Sequence, residues 1–226
     1  IVRTNIQRMA EKARQQGVRL RPHFKTHQSA EIGEWFHQEG VKSITVSSID
    51  MARYFADAGW QDITIAFSVN LRQTEELYKL AREVRLGLLV ESRQAADGLA
   101  ARLPVPVDIW IKVDSGAGRT GIAWQSEAEI SLLAKAIQAV PTLRFQGLLT
   151  HAGQTYRSNG PLAIQAGYAE SVTRINFLRS RLLKEGFPKV DVSVGDTPGC
   201  TLVESFGNVD EIRPGNFVFF DASQVA

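Results

Sequence analysis

The strongest constraint on this chain is a regular alternation of short apolar runs with amphipathic segments, which continues along its 226 residues. Between the apolar runs, hydrophobic residues recur with the 3.6-residue period of a helix, and these segments close at Gly40, Pro141 and Gly186. Alternating strands and helices are typical of a parallel sheet. The strand-like runs lie at 18–24, 43–48, 62–67, 84–90, 107–114, 143–152, 190–196 and within 209–220.

Eight strands in this rhythm predict an α/β fold, and within it a closed TIM-type (β/α)8 barrel, whose typical size is about 250 residues. The alternative is an open, doubly wound sheet. No GxGxxG motif follows the first strand to support a dinucleotide-binding fold of that kind.

Composition and charge exclude several classes of function. The net charge is +2 with acids and bases interspersed, so we expect no nucleic-acid or membrane partner. The single cysteine, Cys200, excludes an internal disulfide framework. No apolar run approaches the roughly 18 residues that span a bilayer. There is no signal peptide, and we expect a cytoplasmic protein, although both ends of the chain look cut.

Polar side chains follow six of the predicted strands. In a barrel, the carboxyl ends of the strands carry the chemistry. Any one of these residues could be an ordinary loop residue. Because polar residues recur at the ends of six strands, we favour a common site for them. The residues are Lys25, His27, Ser47, Ser48, Asp114, Ser115, Arg119, His151, Gln154, Tyr156, Asp196, Thr197, Arg213 and Gly215.

The stretch SVGDTPGC, after the seventh strand, is typical of a phosphate-binding loop. Barrels often bind phosphate with the loops after strands 7 and 8, where glycines let backbone N–H groups approach the anion. The hydroxyl of Thr197 would add a donor. Asp196 is unfavourable beside a phosphate, so we expect its carboxylate to turn away or to cap a backbone N–H. The alternative is a plain Gly-Pro turn.

The stretch RPHFKTHQ alternates basic side chains at Arg21, His23, Lys25 and His27, which one face of a strand would carry together. Burial and neighbouring cations both lower the pKa of a lysine, which yields the neutral amine that forms a Schiff base. The alternative is a surface lysine on an edge strand. With a phosphate site, such a lysine indicates either a Schiff-base aldolase of sugar phosphates or an enzyme of pyridoxal phosphate (PLP).

Five motifs make the chain resemble the D-serine dehydratase / D-threonine aldolase family, fold-type III PLP enzymes related to alanine racemases. In order along residues 18–221 they are VRLRPHFKTHQ, VDSGAGRTG, GLLTHAGQTY, SVGDTPGC and EIRPGNFVFFD. The resemblance implies that Lys25 forms a Schiff base with PLP and that Arg119 lies near the phenolic oxygen of the cofactor. It also implies that His151 packs near the ring face and that Gln154 and Tyr156 contact the cofactor.

The resemblance further implies a phosphate cup and a partner for the pyridine nitrogen. Arg213 matches the racemase arginine that faces this nitrogen, a position at which dehydratase relatives vary. The implied phosphate cup consists of Gly195, Asp196, Thr197 and Gly215.

Family members continue beyond the barrel into a β-domain that binds zinc or another divalent metal, such as manganese, beside PLP. We therefore expect a PLP-binding barrel over 1–221 and the start of the connection to that domain over 222–226. No metal ligand is assigned within this chain. By analogy with fold-type III relatives, we expect a homodimer.

The resemblance implies a PLP-dependent lyase acting on β-hydroxy D-amino acids. The D-serine dehydratase type, which yields a keto acid and ammonia, is favoured, with Lys25 removing the α-proton. The alternatives are retro-aldol cleavage of the D-threonine aldolase type with His27 or a metal-bound group as base, an amino-acid racemase, and a non-catalytic PLP-binding protein. A sugar-phosphate aldolase without PLP is the most remote alternative.

Overall fold

A computed structural model describes residues 1–220 of the chain, and the predicted connection over 222–226 lies outside the described residues. Its strands are Arg19–Leu20 (β1), Ile44–Val46 (β2), Asp62–Ser68 (β3), Arg85–Val90 (β4), Val107–Asp114 (β5), Ile122–Ala123 (β6), Leu143–Thr150 (β7), Asp191–Val194 (β8) and Glu211–Ile212 (β9). Its helices are Val2–Gln15 (α1), Ala30–Gln38 (α2), Ile49–Asp57 (α3), Thr74–Ala81 (α4), Arg93–Arg102 (α5), Glu127–Gln138 (α6), Pro161–Lys184 (α7) and Thr197–Leu202 (α8).

The strands form one parallel sheet in the order β1-β9-β8-β7-β5-β4-β3-β2, with the short β6 added at the end of β5. A parallel bridge between His23 and Thr45 joins the two ends of this order and closes the sheet. Each of the eight apolar runs contains one barrel strand, so the predicted (β/α)8 barrel is confirmed, and β6 is an addition that the pattern did not indicate. None of the helices within residues 1–220 is long and apolar enough to cross a membrane.

Serine side chains begin three of the helices that follow strands. Ser29, Ser48 and Ser92 each accept a hydrogen bond from the backbone N–H three residues on, at 3.3, 3.1 and 3.2 Å. A capping serine satisfies a backbone donor that the helix leaves unpaired, and typically contributes about 1 kcal/mol. These caps begin the helices that lead the chain back over the outside of the barrel.

The first strand corrects the interpretation of RPHFKTHQ. Strand β1 is only two residues long, and residues 24–27 form a turn, so the four basic side chains do not share one strand face. The Arg21 guanidinium is buried and pairs with Glu211 at 2.8 Å and Asp62 at 2.6 Å. Its charge is therefore neutralised by carboxylates and does not act on Lys25.

Gly147 permits a close approach between the neighbouring strands β7 and β8. It pairs with Asp191, its φ is +152°, and a Cβ there would overlap the Asp191 backbone carbonyl oxygen. No other residue type fits this position without separating the strands. The inner wall of the barrel therefore requires glycine here.

We expect Gly147→Ala to lower the free energy of unfolding by roughly 3 kcal/mol, because the methyl group forces β7 and β8 apart. The matched control is Gly167→Ala in α7, where a Cβ would make ordinary contacts of 3.7 Å or more. That change should leave stability unaltered or raise it by up to about 1 kcal/mol, since alanine favours a helix. Urea unfolding followed by circular dichroism measures both, and equal stabilities would contradict the prediction.

Candidate active site at the barrel mouth

A two-lobed cavity opens at the carboxyl ends of the strands. The lobes measure about 340 and 260 Å³ and share one wall, formed by His23, Lys25, Ala117, Arg119, His151 and Arg213. The first lobe is completed by Gly153, Tyr156, Arg157, Asp196, Gly215 and Asn216. The second is completed by Ser47, Ala66, Phe67, Lys112, Thr120 and Leu149.

Lys25 lies in the turn after β1 and lines both lobes. Burial lowers the pKa of its ammonium, and the nearby Arg119 and Arg213 guanidinium groups lower it further. The predicted lowering therefore holds, but the responsible cations are these two arginines rather than Arg21, His23 or His27. Within residues 1–220 the Lys25 Nζ forms no ion pair or hydrogen bond, so the amine is available to a ligand.

The turn that carries Arg119 is organised by the carboxylate at the end of β5. Asp114 Oδ1 accepts hydrogen bonds from the backbone N–H groups of Gly116, Ala117 and Gly118, at 2.9, 2.8 and 3.2 Å. Three donors converging on one carboxylate fix the backbone of the turn. Asp114, predicted only as a polar strand end, thus shapes the turn that bears Arg119.

Arg213 forms the floor of the cavity and is 5% exposed. Its Nε donates to Ser193 Oγ at 2.7 Å, its Nη2 donates to the Thr150 carbonyl, and Ser193 Oγ donates to Glu211 at 2.7 Å. Burial lowers the pKa of Arg213 to about 10, against the opposing effect of Glu211. The guanidinium is still protonated at neutral pH, and its orientation is fixed from below.

The His151 and Tyr156 rings line the first lobe together, with centroids 5.8 Å apart and planes tilted by 34°. Burial, then the charges of Arg213 and Lys25, lower the pKa of His151 to about 4, so this imidazole is neutral at neutral pH. The Tyr156 hydroxyl accepts a hydrogen bond from the backbone N–H of Thr197 at 3.0 Å. The neutral His151 ring, beside the Tyr156 ring, suits stacking against a planar ligand.

The expected behaviour of Asp196 is confirmed. Its Oδ2 caps α8 by accepting a hydrogen bond from the Gly199 N–H at 2.6 Å, and it accepts a second one from Thr155 Oγ1 at 2.8 Å. Burial raises the pKa of this carboxyl from 3.8 to about 6, and the two hydrogen bonds limit the rise. The Asp196 carboxyl therefore takes up a proton at a higher pH than an exposed aspartate does.

Thr197 joins the two loops that were predicted to bind phosphate. Its Oγ1 accepts hydrogen bonds from the backbone N–H groups of Gly215 at 3.2 Å and Asn216 at 3.0 Å. Gly215 lines the first lobe, whereas Thr197 and Gly195 lie behind its wall, and a Cβ on Gly195 would press against Arg213 at 3.1 Å. A direct phosphate contact of these two residues stays a prediction.

Two predicted site residues point away from the cavity. The His27 ring packs against Phe24, with centroids 4.3 Å apart, and its Nδ1 accepts from the Ser29 N–H at 3.2 Å. The Gln154 Nε2 donates to Ser171 Oγ in α7 at 2.6 Å. Neither residue lines the cavity, because a tight turn directs one side chain into an aromatic cluster and a helix binds the other, and their predicted roles in the site stay predictions.

Three titratable residues of the cavity lining were not among the predicted site residues. His23 lines both lobes, and burial holds the pKa of its ring well below the usual range. Lys112 is the basic residue in the middle of strand β5, whose sequence is VDIWIKVD; a charge between buried apolar neighbours is a signal that could have revealed it, and its side chain is 13% exposed. Arg157 follows Tyr156 in the loop after β7 and has no such signal.

The cavity combines many cations with few acids. The basic residues Lys25, Lys112, Arg119, Arg157 and Arg213 line it, and among residues 1–220 Asp196 supplies the one carboxyl group in its lining. This charge balance favours anionic ligands such as phosphate and carboxylate groups. Residues 1–220 contain no cluster of three or more metal-ligating His, Cys, Asp or Glu side chains.

The described residues thus form a closed parallel barrel whose mouth carries Lys25, with its lowered pKa, beside Arg119 and Arg213. The chain matches the family model of the alanine racemase N-terminal domain over residues 2–223 and belongs to that family. The resemblance drawn from its five motifs is thereby confirmed.

Three curated relatives cover nearly all of this chain. It is 33% identical to the D-threo-3-hydroxyaspartate dehydratase of Delftia sp. (strain HT23), over 96% of the chain and 58% of that protein. It is 27% identical to the D-serine dehydratase of Dictyostelium discoideum, over 99% of the chain and 61% of that protein. It is also 27% identical to the D-threonine aldolase of Arthrobacter sp, over 96% and 58%.

The solved structure of the Delftia dehydratase agrees with the fold. Its TM-score is 0.93 at 32% identity, over 98% of this chain and 59% of that one. This chain therefore spans about 60% of the length of its relatives.

Because the pKa of Asp196 is higher in the folded chain than in the unfolded one, the folded state binds the extra proton. Its contribution to stability is complete below about pH 4 and is lost as pH rises through about 6. Between about pH 4 and pH 6, we expect the free energy of unfolding of the wild-type protein to fall by roughly 2–3 kcal/mol relative to that of Asp196→Asn. His27 and His151 have the opposite dependence, but both proteins retain them. Urea unfolding from pH 4 to 7 measures the difference, and a pH-independent difference would contradict it.

Proposed function

We propose that this chain is the PLP-binding barrel of a lyase that acts on β-hydroxy D-amino acids, of the D-serine dehydratase type. The observation that carries the proposal is Lys25, an unpaired amine of lowered pKa between Arg119 and Arg213 in a cation-lined cavity. The printed activities of the relatives, two dehydratases and an aldolase of D-amino acids, support the same class of reaction.

The residues of the cavity fit PLP. The amine of Lys25 suits its aldehyde, and the neutral His151 ring suits the face of a planar heterocycle. Tyr156, Gly215 and Arg157 line the first lobe, where a phosphate group would be compensated by positive charge. When bound, PLP serves as an electron sink for the bonds at the α-carbon of the substrate.

The chain's own residues have distinct tasks in this proposal. Lys25 Nζ, with its lowered pKa, accepts the α-proton of the D-amino acid. Arg119 and Arg213 stay charged and orient anionic groups of cofactor and substrate. Ser193 and the Thr150 carbonyl hold Arg213 in one orientation, so that its charge is already in position when the ligand binds.

Retro-aldol cleavage is the second candidate, since one relative is a D-threonine aldolase. It requires a base for the β-hydroxyl proton, and His27 is sequestered among phenylalanine rings outside the cavity. The position of His27 therefore supports the dehydratase reaction over aldol cleavage. The other base proposed for the aldolase reaction is a metal-bound group.

The proposal includes a divalent metal, zinc or manganese, held by ligands beyond residue 226 and assisting departure of the β-hydroxyl. One solved form of the Delftia dehydratase is described as metal-free, which supports a metal in that relative. A homodimer and a cytoplasmic location complete the proposal. Sedimentation of the full-length protein and fractionation of its native cells test these two parts.

We expect Lys25→Ala in the full-length protein to lose the yellow colour of bound PLP, because Lys25 supplies the amine on the wall shared by both lobes, whereas the Lys112 amine lies in the second lobe, 3.8 Å from Glu91. Absorbance spectra after incubation with PLP and removal of free cofactor measure the loss. Lys189→Ala is the matched control, since Lys189 pairs with Asp191 on the surface with 73% of its side chain exposed. Retention of the yellow colour by Lys25→Ala would refute the proposal.

Product analysis identifies the reaction. We expect full-length protein to convert D-serine, or D-3-hydroxyaspartate, to a keto acid and ammonia, and EDTA to abolish this conversion until zinc or manganese is restored. Glycine and an aldehyde from D-threonine would establish the aldolase instead. L-Alanine from D-alanine would establish a racemase, and bound PLP without any product would establish a non-catalytic binding protein.

A further inference from the structure

Glu91 is a carboxylate that follows β4 and reaches the turn on which Arg119 lies. Its Oε2 accepts a hydrogen bond from the backbone N–H of Gly121 at 3.1 Å. Its Oε1 accepts one from Ser68 Oγ and lies 3.8 Å from Lys112 Nζ. The side chain is 26% exposed, so these contacts are partly shielded from water.

The turn is thus held by a carboxylate at each end. Asp114 binds the backbone N–H groups at its start, and Glu91 binds the N–H of Gly121 at its end. Gly121 has a φ of +109°, and a Cβ there would lie 2.7 Å from the Asp114 backbone nitrogen, which leaves no room for any other residue. Arg119 lies between the two anchors, two residues before the Glu91 contact.

Glu91 also supplies negative charge beside a group of cations. Burial lowers the pKa of Lys112, and Arg213 and Arg119 lower it further, while Glu91 is the neighbour that raises it. Lys112, Arg119 and Arg213 all line the second lobe of the cavity. The Glu91 carboxylate therefore keeps the Lys112 ammonium beside the arginines while it holds the turn.

We propose that Glu91 is the positioning residue for Arg119, acting through the Gly121 N–H and the Lys112 ammonium without touching the ligand. Loss of the carboxylate frees the carboxyl end of the turn, so that Arg119 no longer meets an anionic ligand in one fixed orientation. The contacts of Glu91 with Gly121 and Lys112 support the fixation of the turn independently of any ligand. The expected effect of Glu91 on PLP binding rests on the proposed function.

The test compares Glu91→Ala, Glu91→Gln and Glu91→Asp in the full-length protein. Alanine removes the contacts with Gly121, Ser68 and Lys112, whereas the glutamine amide oxygen can still accept from the Gly121 N–H. Aspartate keeps the charge but is one methylene too short to reach Gly121. Ser68→Ala removes only the neighbouring hydroxyl, and Glu83→Ala removes a carboxylate that pairs with Arg53 on the outer surface.

Two quantities are measured, together with the melting temperature. The first is amide hydrogen exchange in peptides that cover 115–123, and the second is the Kd for PLP from absorbance titration. For Glu91→Ala we expect local exchange and Kd each to increase by about tenfold, the effect of losing one hydrogen bond to a charged acceptor. We expect Glu91→Gln to remain within about threefold of wild type and Glu91→Asp to fall between them. Both controls should match wild type.

Unchanged local exchange and an unchanged Kd in a folded Glu91→Ala protein would overturn the proposal. So would faster exchange throughout the barrel with a lowered melting temperature, since that indicates a general structural role. If Glu91→Ala does not fold, Glu91→Asp decides, and wild-type behaviour in that variant overturns the proposal. Failure of wild-type protein to bind PLP would refute the proposed function, while the exchange measurement would still judge the hold of Glu91 on the turn.

Discussion

Backbone hydrogen bonds between the segment after β1 and Thr45 close the barrel, and the site depends on this closure. The Thr45 N–H donates to the Pro22 carbonyl at 2.9 Å, and the Phe24 N–H donates to the Thr45 carbonyl at 2.8 Å. In a closed parallel barrel all strands end at one mouth. The same bonds fix the point at which the chain leaves the sheet, so they also set the direction of the turn that carries Lys25.

Below the cavity, a buried polar network connects the floor to the opposite end of the barrel. It runs from Arg213 through Ser193 and Glu211 to Arg21 and Asp62. Buried charges are tolerated when each has a partner, and here the carboxylates of Glu211 and Asp62 compensate the guanidinium of Arg21. Arg213 is less fully compensated, which leaves its positive charge directed at the cavity. The charge of Arg21 is thus neutralised within the barrel, whereas the charge of Arg213 faces the cavity at the mouth.

Sequence patterns predicted the elements better than the directions of individual side chains. All eight strands were foreseen because a strand buried on both faces must be apolar along its length. Lys25, Arg119 and His151 were foreseen because polar residues at strand ends meet at one mouth. His27 and Gln154 satisfied the same rule and yet point elsewhere. Spacing along the chain does not reveal a turn that rotates a side chain into an aromatic cluster, or a helix that offers it a hydrogen bond.

The sequence by itself determined the parallel barrel, the family and the lysine at its mouth, because apolar periodicity and short motifs are local properties of the chain. Only the tertiary structure decided which cations surround that lysine. Arg119 and Arg213 are 94 and 188 residues away from Lys25 along the chain, and barrel closure alone brings the three together. Packing between distant segments also brought Arg21 to the carboxylates of Glu211 and Asp62, whereas the local turn over 24–27 placed His27 beside Phe24.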